Sequence, residues 1–186
     1  SGTVKVNGEE LRLGSVEHAI RSGIVMIPED RRDQGIVPGM SITENVVLPN
    51  FEKVLRNGQI DRTKSRDLAE QVIQRMEVRG LKQMPLKLLS GGNQQKVVIG
   101  KWIERDPKVV VLDEPTRGID VGARAAIYDV IHDLAGQGLA VVVVSSDLDE
   151  VMGLSHRVMV LARGMDQGTI PHDELTGEKV MALATR

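Results

Sequence analysis

Three apolar runs stand out in the otherwise mixed pattern of hydrophobic and polar positions along this chain. Residues 109–112 and 139–144 contain no polar side chain, which predicts strands that are buried on both faces. Residues 24–27 predict another buried strand. Before them, an alternating pattern over residues 3–11 surrounds the pair Asn7-Gly8, a combination typical of a β-hairpin.

The segments between these runs have helical spacing, and most of them begin at a side chain that can accept hydrogen bonds from the first turn. These predicted caps are Ser15, Ser41, Asp61, Ser90 and, as a candidate, Asp120 before residues 121–135. The helix after Ser41 has capping-box spacing with Glu44 and is expected to end at Pro49. The helix after Asp61 has an apolar face formed by Leu68, Val72, Ile73 and Met76.

The remaining segments complete an alternation of strands and helices. The pair Asn57-Gly58 is interpreted as the turn of a variable loop. Two terminal strands over residues 157–161 and 167–170 precede a closing helix over 178–184. This order favours an α/β fold, in which ligands bind outside the carboxyl ends of the parallel strands.

The composition argues against several function classes. With 186 residues, 41% of them hydrophobic, the chain can bury one core, with or without a small subdomain. A net charge of −2 and a single residue each of Phe, Trp and Tyr argue against a nucleic-acid partner. Because there is no cysteine, disulfides and thiolate chemistry are excluded. No apolar run reaches membrane-spanning length, so we expect any membrane association to go through a partner.

Two carboxylates follow the strand over residues 109–112 directly. Asp113 is placed to hold a divalent cation, and Glu114, one residue further out, to orient or deprotonate an attacking water. Pro115 prevents the strand from continuing. The alternative interpretation is a charged turn without chemistry, which is the better one for an isolated Asp-Glu-Pro.

A second motif lies upstream, where Ser90 and the glycines Gly91 and Gly92 open a helix that extends to about Glu104. Free N–H groups at a helix start, together with the positive end of its dipole, favour phosphate. A flexible loop before a surface helix is the alternative. The two motifs in this order and spacing are far more specific than either alone.

The sequences Leu89-Ser90-Gly91-Gly92-Asn93-Gln94-Gln95-Lys96 and 111–120, Val-Leu-Asp-Glu-Pro-Thr-Arg-Gly-Ile-Asp, resemble the nucleotide-binding domain of ABC transporters. The asparagine variant of the first motif resembles the ATPase subunits of bacterial monosaccharide importers, in which two nucleotide-binding halves are fused. The chain resembles the second half. The resemblance implies an ABC-type, RecA-like P-loop NTPase fold with an N-terminal β-hairpin and an inserted helical subdomain, divided at 1–34, 35–105 and 106–186.

The resemblance also implies roles for individual residues. The catalytic carboxylate is Glu114, the magnesium ligand is Asp113, and the D-loop aspartate is Asp120, which crosses to the opposite nucleotide site. A signature loop binds nucleotide in trans through Leu89, Ser90, Gly91, Gly92 and Gln94. The implied cofactors are ATP and Mg²⁺.

Two positions depart from the family's pattern. Glu29 stands where most members have the glutamine of the Q-loop, and Ser146 where most have the histidine that contacts the γ-phosphate. A polar turn is an equally good interpretation of Glu29. If the roles carry over, the site in this half is impaired, while its signature loop completes the site of a partner.

The sequence contains no phosphate-binding loop of the form Gly-x-x-x-x-Gly-Lys-Ser/Thr, since the nearest match, at Gly100-Lys101, lacks the first glycine and the hydroxyl. We therefore expect a piece of a longer subunit, cut after the first strand and the Walker A helix and inactive alone. A complete protein that lost the loop is the alternative.

The function implied by the resemblance is to energise monosaccharide import at the cytoplasmic face of the bacterial inner membrane. The expected partners are the first nucleotide-binding half or a second copy, a transmembrane sugar permease and, indirectly, a periplasmic or extracellular sugar-binding protein. Two alternatives stay open: a non-transport ABC ATPase in translation or DNA repair, and a regulatory module without catalysis.

Overall fold

The computed structural model describes residues 2–185. The N-terminal part contains a hairpin of β1 (Lys5–Val6) and β2 (Glu9–Glu10), then helix α1 (Val16–Arg21) and strand β3 (Ile24–Ile27). Asn7 and Gly8 turn the hairpin with positive φ angles of 52° and 86°, which confirms the predicted hairpin. A single π-helical turn, Arg31–Gly35, follows β3.

A mostly helical segment comes next. Its elements are α2 (Ile42–Val47), a 3₁₀ helix (Leu48–Val54), the hairpin strands β4 (Leu55–Arg56) and β5 (Gln59–Ile60), α3 (Arg62–Arg75), a 3₁₀ turn (Leu86–Leu88) and α4 (Gly91–Ile103). The remaining elements are β6 (Val109–Asp113), α5 (Val121–Gly136), β7 (Ala140–Val144), α6 (Leu148–Leu154), β8 (Arg157–Ala162), β9 (Met165–Pro171), a 3₁₀ turn (His172–Glu174) and α7 (Gly177–Ala184).

The central sheet has three parallel strands in the order β3–β6–β7. In register, Ile27 lies beside Leu112 and Leu112 beside Val143, so the three strands end at one common edge. That edge brings together the segments after residues 27, 113 and 144, which are far apart in the chain. Strands β8 and β9 form a separate antiparallel pair.

The predicted burial of both faces of these strands is wrong. On one face Val25, Ile27, Val110 and Leu112 are buried beneath α4 and α5. On the other face Met26, Val142 and Val144 keep 53%, 47% and 51% of their surface exposed. An apolar run that is typical of a two-sided sheet is therefore well covered on one side only.

The main hydrophobic core is continuous across the helical part and the sheet. It contains residues from all three predicted segments, for example Ile27, Val72, Val97 and Ile127. A smaller core around Val158, Val160, Ile170 and Val180 joins α7 to β8 and β9. The α/β fold is therefore confirmed, whereas the division into three segments stays a prediction.

The local helix signals are confirmed at four of the five predicted caps. Side-chain oxygens of Ser15, Ser41, Asp61 and Ser90 accept backbone N–H groups of the helices that they precede. The side chain of Asp120 makes no such hydrogen bond with α5, so its predicted capping role is wrong; instead its carbonyl oxygen accepts the N–H of Ala123.

The structure also refines two further predictions. The α-helix after Ser41 ends at Val47, and Pro49 lies near the start of the following 3₁₀ helix. A proline is tolerated there because the first N–H groups of a helix have no acceptor within the helix. Asn57 and Gly58 form the predicted turn with positive φ angles of 50° and 77°, and the segment that they turn is a short hairpin of β4 and β5. No helix within residues 2–185 has the length and hydrophobicity to cross a membrane.

Candidate nucleotide site

The candidate site begins where β6 ends. Glu114 has a positive φ of 45°, and its N–H donates to the carbonyl of Val144 at 2.8 Å, which holds the turn against β7. Its Oε1 accepts the backbone N–H of Ser146 at 2.8 Å. Two residues that sequence analysis singled out separately are therefore in direct contact at the edge of the sheet.

Asp113 lies beside Val144 in the sheet register and is half-buried. Within residues 2–185 its carboxylate has no hydrogen-bond partner, and no three His, Asp or Glu side chains cluster as a metal site. Mg²⁺ binds through one or two carboxylates together with waters and substrate phosphates, so a single free carboxylate at this edge fits such an ion. A single carboxylate is too few ligands for a cation that is bound by protein side chains alone.

The signature loop is held by its own side chains. Ser90 is exposed, and its Oγ accepts Nδ2 of Asn93 at 2.9 Å. The Oδ1 of Asn93 accepts the N–H of Arg79 at 2.7 Å. The asparagine of this motif thus ties the serine hydroxyl to the chain that precedes the loop, and α4 begins in a fixed position.

The predicted signature residues differ in burial: Leu89 and Gln94 are buried, whereas Ser90 is exposed. Leu89 is buried in the core, and the buried Gln94 donates from Nε2 to the carbonyls of Leu86 and Leu89 at 3.2 and 3.0 Å. Both side chains face inward, and their predicted role in nucleotide binding stays a prediction. We assign them the support of the loop, while Ser90, Gly91 and Gly92 remain at the start of the helix.

The two glycines pack closely against other segments of the chain. A Cβ on Gly91 would lie 2.7 Å from Nη2 of Arg31 and 3.2 Å from the carbonyl oxygen of Gly118. A Cβ on Gly92 would lie 3.2 Å from Cβ of Ala123 in α5. The signature loop therefore contacts the segment after Glu114 directly, and a larger residue at Gly91 would have to displace the guanidinium of Arg31.

The segment after β3 contacts the loop of Arg117 and Gly118, against which the signature loop also packs. Glu29 pairs with the guanidinium of Arg117, and Arg31 donates to the carbonyls of Arg117 and Gly118. Burial lowers the pKa of Arg31, with the charge of the neighbouring Arg32 adding to the effect. Asp120, two residues beyond Gly118, is exposed.

A buried hydrogen bond joins the turn after β6 to helix α6. The Oγ1 of Thr116 donates to Oε1 of Glu150 in α6 at 2.7 Å, and Glu150 is 1% exposed. Burial together with the charge of Glu150 raises the pKa of Tyr128 beside this pair. Arg124 of α5 pairs with Asp147 at 2.8 Å, so α5, α6 and the turn after β6 are joined by side chains.

The cap of α6 and one buried lysine have shifted pKa values as well. Hydrogen bonds from the N–H of Glu150, then from Arg124 and the N–H of Asp149, lower the pKa of Asp147. Burial lowers the pKa of Lys101 to about 8. The Nζ of this lysine donates to the carbonyl of Gly35, and no carboxylate pairs with it within residues 2–185.

The motifs and the geometry agree with a comparison against protein families. The model of the ABC transporter family matches residues 1–117, which is more than half of the chain. The chain belongs to this family. The match covers the signature loop, β6 and Glu114, the elements that meet at the edge of the sheet.

Curated relatives of this ABC chain share two fifths to one half of its residues. The ribose import ATP-binding protein RbsA of Geobacillus kaustophilus is 44% identical over 99% of this chain, and RbsA 1 of Streptomyces avermitilis is 48% identical over 98%. A putative ribose/galactose/methyl galactoside import ATP-binding protein of Agrobacterium fabrum is 44% identical over the whole chain. The chain spans 37%, 35% and 37% of these three proteins.

Solved ABC structures share the fold at low sequence identity. A dimeric ATP-binding cassette in a post-hydrolysis state, bound to ADP and Pi, superimposes with a TM-score of 0.75 and 22% identity, over 92% of this chain and 74% of that one. CbiO1 from Clostridium perfringens gives a TM-score of 0.77 and 22% identity, over 97% and 70%. Both confirm the ABC-type fold.

Arg31, Thr116 and Glu150 were not identified from the sequence. The run Glu29-Asp30-Arg31-Arg32 contains two neighbouring arginines with no pattern that separates them, yet one is buried and the other exposed. Glu150 follows two other acidic residues at a helix start, where a solvated position is the ordinary expectation. Their partners lie 86, 87 and 34 residues away, beyond the range of local sequence signals.

Proposed function

We propose that this chain is part of an ATP-binding and ATP-hydrolysing subunit that energises monosaccharide import across the bacterial inner membrane. The observation that carries the proposal is a connected set of contacts in an ABC-type fold: Gly91 of the signature loop packs against Gly118, and the N–H of the neighbouring Arg117 donates to the carbonyl of Glu114. The names of the relatives, ribose and ribose/galactose/methyl galactoside import proteins, favour a sugar as cargo.

In this proposal the chain contributes the signature loop and the acidic end of β6, and a partner cassette contributes the phosphate-binding loop. Free N–H groups at the start of α4, with the positive end of the helix dipole, suit the γ-phosphate of ATP held by that partner. Asp113 would hold Mg²⁺, which neutralises phosphate charge during hydrolysis. Glu114 is the residue to orient water.

The proposed subunit has two unequal nucleotide sites. Glu29 supplies a carboxylate and Ser146 a hydroxyl, whereas most family members have the amide of a glutamine and the imidazole of a histidine at these positions. The site built on this chain's own carboxylates is therefore proposed to hydrolyse ATP slowly. The site to which Ser90, Gly91 and Gly92 contribute is the productive one.

The proposed partners follow from this arrangement. They are the first nucleotide-binding half of the same subunit or a second copy, a transmembrane sugar permease, and a sugar-binding protein that acts through the permease. The subunit is proposed to bind the cytoplasmic face of the membrane through the permease.

The proposal is tested by reconstituting the complete subunit with its permease and sugar-binding protein in proteoliposomes and measuring uptake of labelled ribose, galactose and xylose. ATP-dependent uptake of one of these sugars is expected, with none when ATP is replaced by a non-hydrolysable analogue. An assembled transporter that hydrolyses ATP but moves none of the sugars overturns the assignment of cargo.

Nucleotide binding by the chain alone is a separate test. The fluorescence of Trp102, which lies on α4, is followed during titration with Mg-ATP and compared with calorimetry. We expect no binding up to millimolar nucleotide, because no phosphate-binding loop is present in the sequence. Micromolar binding would show that another segment holds the phosphates, and the proposed division of labour would fail.

A further inference from the structure

Arg31 occupies a junction between three segments that are far apart in the sequence. Its side chain starts in the π-helical turn after β3 and is only 7% exposed. Nη1 donates to the carbonyl of Arg117 at 2.7 Å, and Nη2 donates to the carbonyl of Gly118 at 2.9 Å. The planar fork of a guanidinium matches two consecutive carbonyl groups, whereas a lysine ammonium has no such fixed geometry.

The same guanidinium lies against the signature loop. A Cβ on Gly91 would be 2.7 Å from Nη2 and 3.6 Å from Cζ of Arg31, and a Cβ on Gly118 would be 3.7 Å from Nη1. The plane of Arg31 is therefore enclosed between the first residue of α4 and the loop before Asp120. Gly118 itself has a positive φ of 66°, so the loop adopts a conformation that most residues avoid.

Within residues 2–185 no carboxylate forms an ion pair with Arg31, and its Nε has no hydrogen-bond partner. Burial and the charge of Arg32 lower the pKa of Arg31 by more than the charge of the adjacent Asp30 raises it. Burial of an unpaired guanidinium is unfavourable, and carbonyl groups return only part of the lost hydration. A side chain placed for stability alone gains little from this arrangement. The neighbouring pair of Glu29 with Arg117 adds a second link between the same two segments.

We propose that Arg31 is a positioning residue that fixes the loop of Arg117 and Gly118 to the start of α4. Through it, Ser90 to Gly92 and Asp120 face the partner's nucleotide as one rigid surface. The inference rests on the proposed function, because the surface matters only if a partner cassette binds ATP against it. Arg31 contacts no nucleotide in this account.

The test uses three substitutions in the complete subunit, assembled with its permease. Arg31→Met keeps the length and removes all donors, and Arg31→Lys keeps the charge but not the fork. Arg32→Met is the matched control, since the adjacent Arg32 is exposed and its side chain makes no hydrogen bond within residues 2–185. The kcat and the KM for ATP are measured separately.

A displaced signature loop weakens transition-state contacts more than nucleotide binding, which the partner's loop provides. We expect Arg31→Met to lower kcat by about 10-fold to 100-fold, with the KM for ATP changed less than about twofold. Arg31→Lys should recover part of kcat, and Arg32→Met should match the wild type. The proposal is overturned if Arg31→Met has the kcat of Arg32→Met, or if only the KM rises.

Hydrogen exchange on the 186-residue chain reports on the junction itself. The N–H of Arg117 and of Ile119 are hydrogen-bonded within the loop, at 3.0 and 3.1 Å. Arg31→Met should speed their exchange at least about tenfold, whereas Arg32→Met should leave it unchanged. If Arg31→Met fails to fold, Arg31→Lys decides: wild-type exchange and wild-type kcat in that variant overturn the proposal. A wild-type transporter without ATPase activity would overturn the proposed function instead.

Discussion

The backbone N–H of Ser146 donates a hydrogen bond of 2.8 Å to Oε1 of Glu114. This contact joins the turn after β6 to the turn after β7. The backbone N–H of Glu114 also donates a hydrogen bond to the carbonyl of Val144, the last residue of β7. The carboxylate that we propose to orient water is thus also the acceptor that holds the neighbouring turn. Its orientation is set by backbone rather than by a side chain at position 146.

The first prediction follows from this double role. Glu114→Gln retains an oxygen that can accept the Ser146 N–H, while Glu114→Ala removes it. We expect exchange of the Ser146 amide to rise about tenfold or more in the alanine variant and by less in the glutamine variant, because a hydrogen bond to a charged group contributes about 1.5–3 kcal/mol. Amide exchange by NMR measures this. Glu178→Ala, at an exposed position in α7, serves as the control and should leave Ser146 unchanged.

The second prediction concerns the unequal sites. In the assembled transporter, Ser90→Arg should reduce turnover by at least about 100-fold, because a bulky cation blocks the donors at the start of α4. Glu114→Gln should reduce it by less than about 10-fold, since the site that it serves is the slow one. ATPase rates with Gln71→Arg, an exposed position on α3, give the baseline. A larger effect of Glu114→Gln than of Ser90→Arg would contradict the asymmetry.

The third prediction concerns the buried pair of Thr116 and Glu150. Thr116→Val preserves the shape but removes the hydrogen bond to a carboxylate that is 1% exposed. We expect the free energy of unfolding to fall by about 2–3 kcal/mol, and by less when Glu150→Gln is already present. Urea unfolding of the four members of this double-mutant cycle measures the coupling. Strict additivity of the two changes would show that the pair does not act as a unit.

The fourth prediction is a pH dependence of stability. The pKa of Lys101 is about 8 in the folded chain, below its ordinary value of 10.5, so between these values the unfolded state binds more protons. Stability therefore rises with pH across this window, and the penalty for burying the charged lysine is fully present below pH 8. Relative to Lys101→Met, the wild type should gain about 3 kcal/mol between pH 7 and pH 10.5.

Unfolding by urea at several pH values, with Lys87→Met as an exposed control, measures this difference. The free energy of unfolding of the wild type, taken relative to that of Lys101→Met, should rise as the pH rises from 7 to 10.5. A difference that stays constant from pH 7 to 10.5 would mean that Lys101 keeps its ordinary pKa. The control variant should show a constant difference from the wild type.

The fifth prediction concerns the open face of the sheet. Met26, Val111 and Val142 form one row in register, and Met26 and Val142 are about half exposed. Exposed apolar faces of this kind promote association. We expect the chain to self-associate in sedimentation experiments, and the double substitution Met26→Lys and Val142→Lys to shift it towards the monomer. Leu81→Lys, which is 70% exposed elsewhere, should not do so; an equal effect would assign association to another surface.

Local sequence alone determined much of this structure. The hydrogen bonds of the caps at Ser15, Ser41, Asp61 and Ser90 involve backbone groups within three residues, so the side chain and its acceptor site are specified by the same short segment. The same holds for the Asn7-Gly8 turn, because two positive φ angles need particular residues there. The motifs of the signature loop and of Asp113-Glu114 could be recognised for the same reason, and the roles of these residues stay predictions.

Only the tertiary structure decided which side chains meet across the chain. Arg31 and Arg32 are equivalent in sequence, and the choice between them depends on which one faces Arg117 and Gly118 once β3 and β6 have paired. Likewise, a run such as Val141 to Val144 cannot say whether one or both faces are covered, because burial depends on elements elsewhere. Strand pairing brings distant segments together through contacts that no local pattern encodes. It therefore determines both which arginine is buried and which face of each strand is covered.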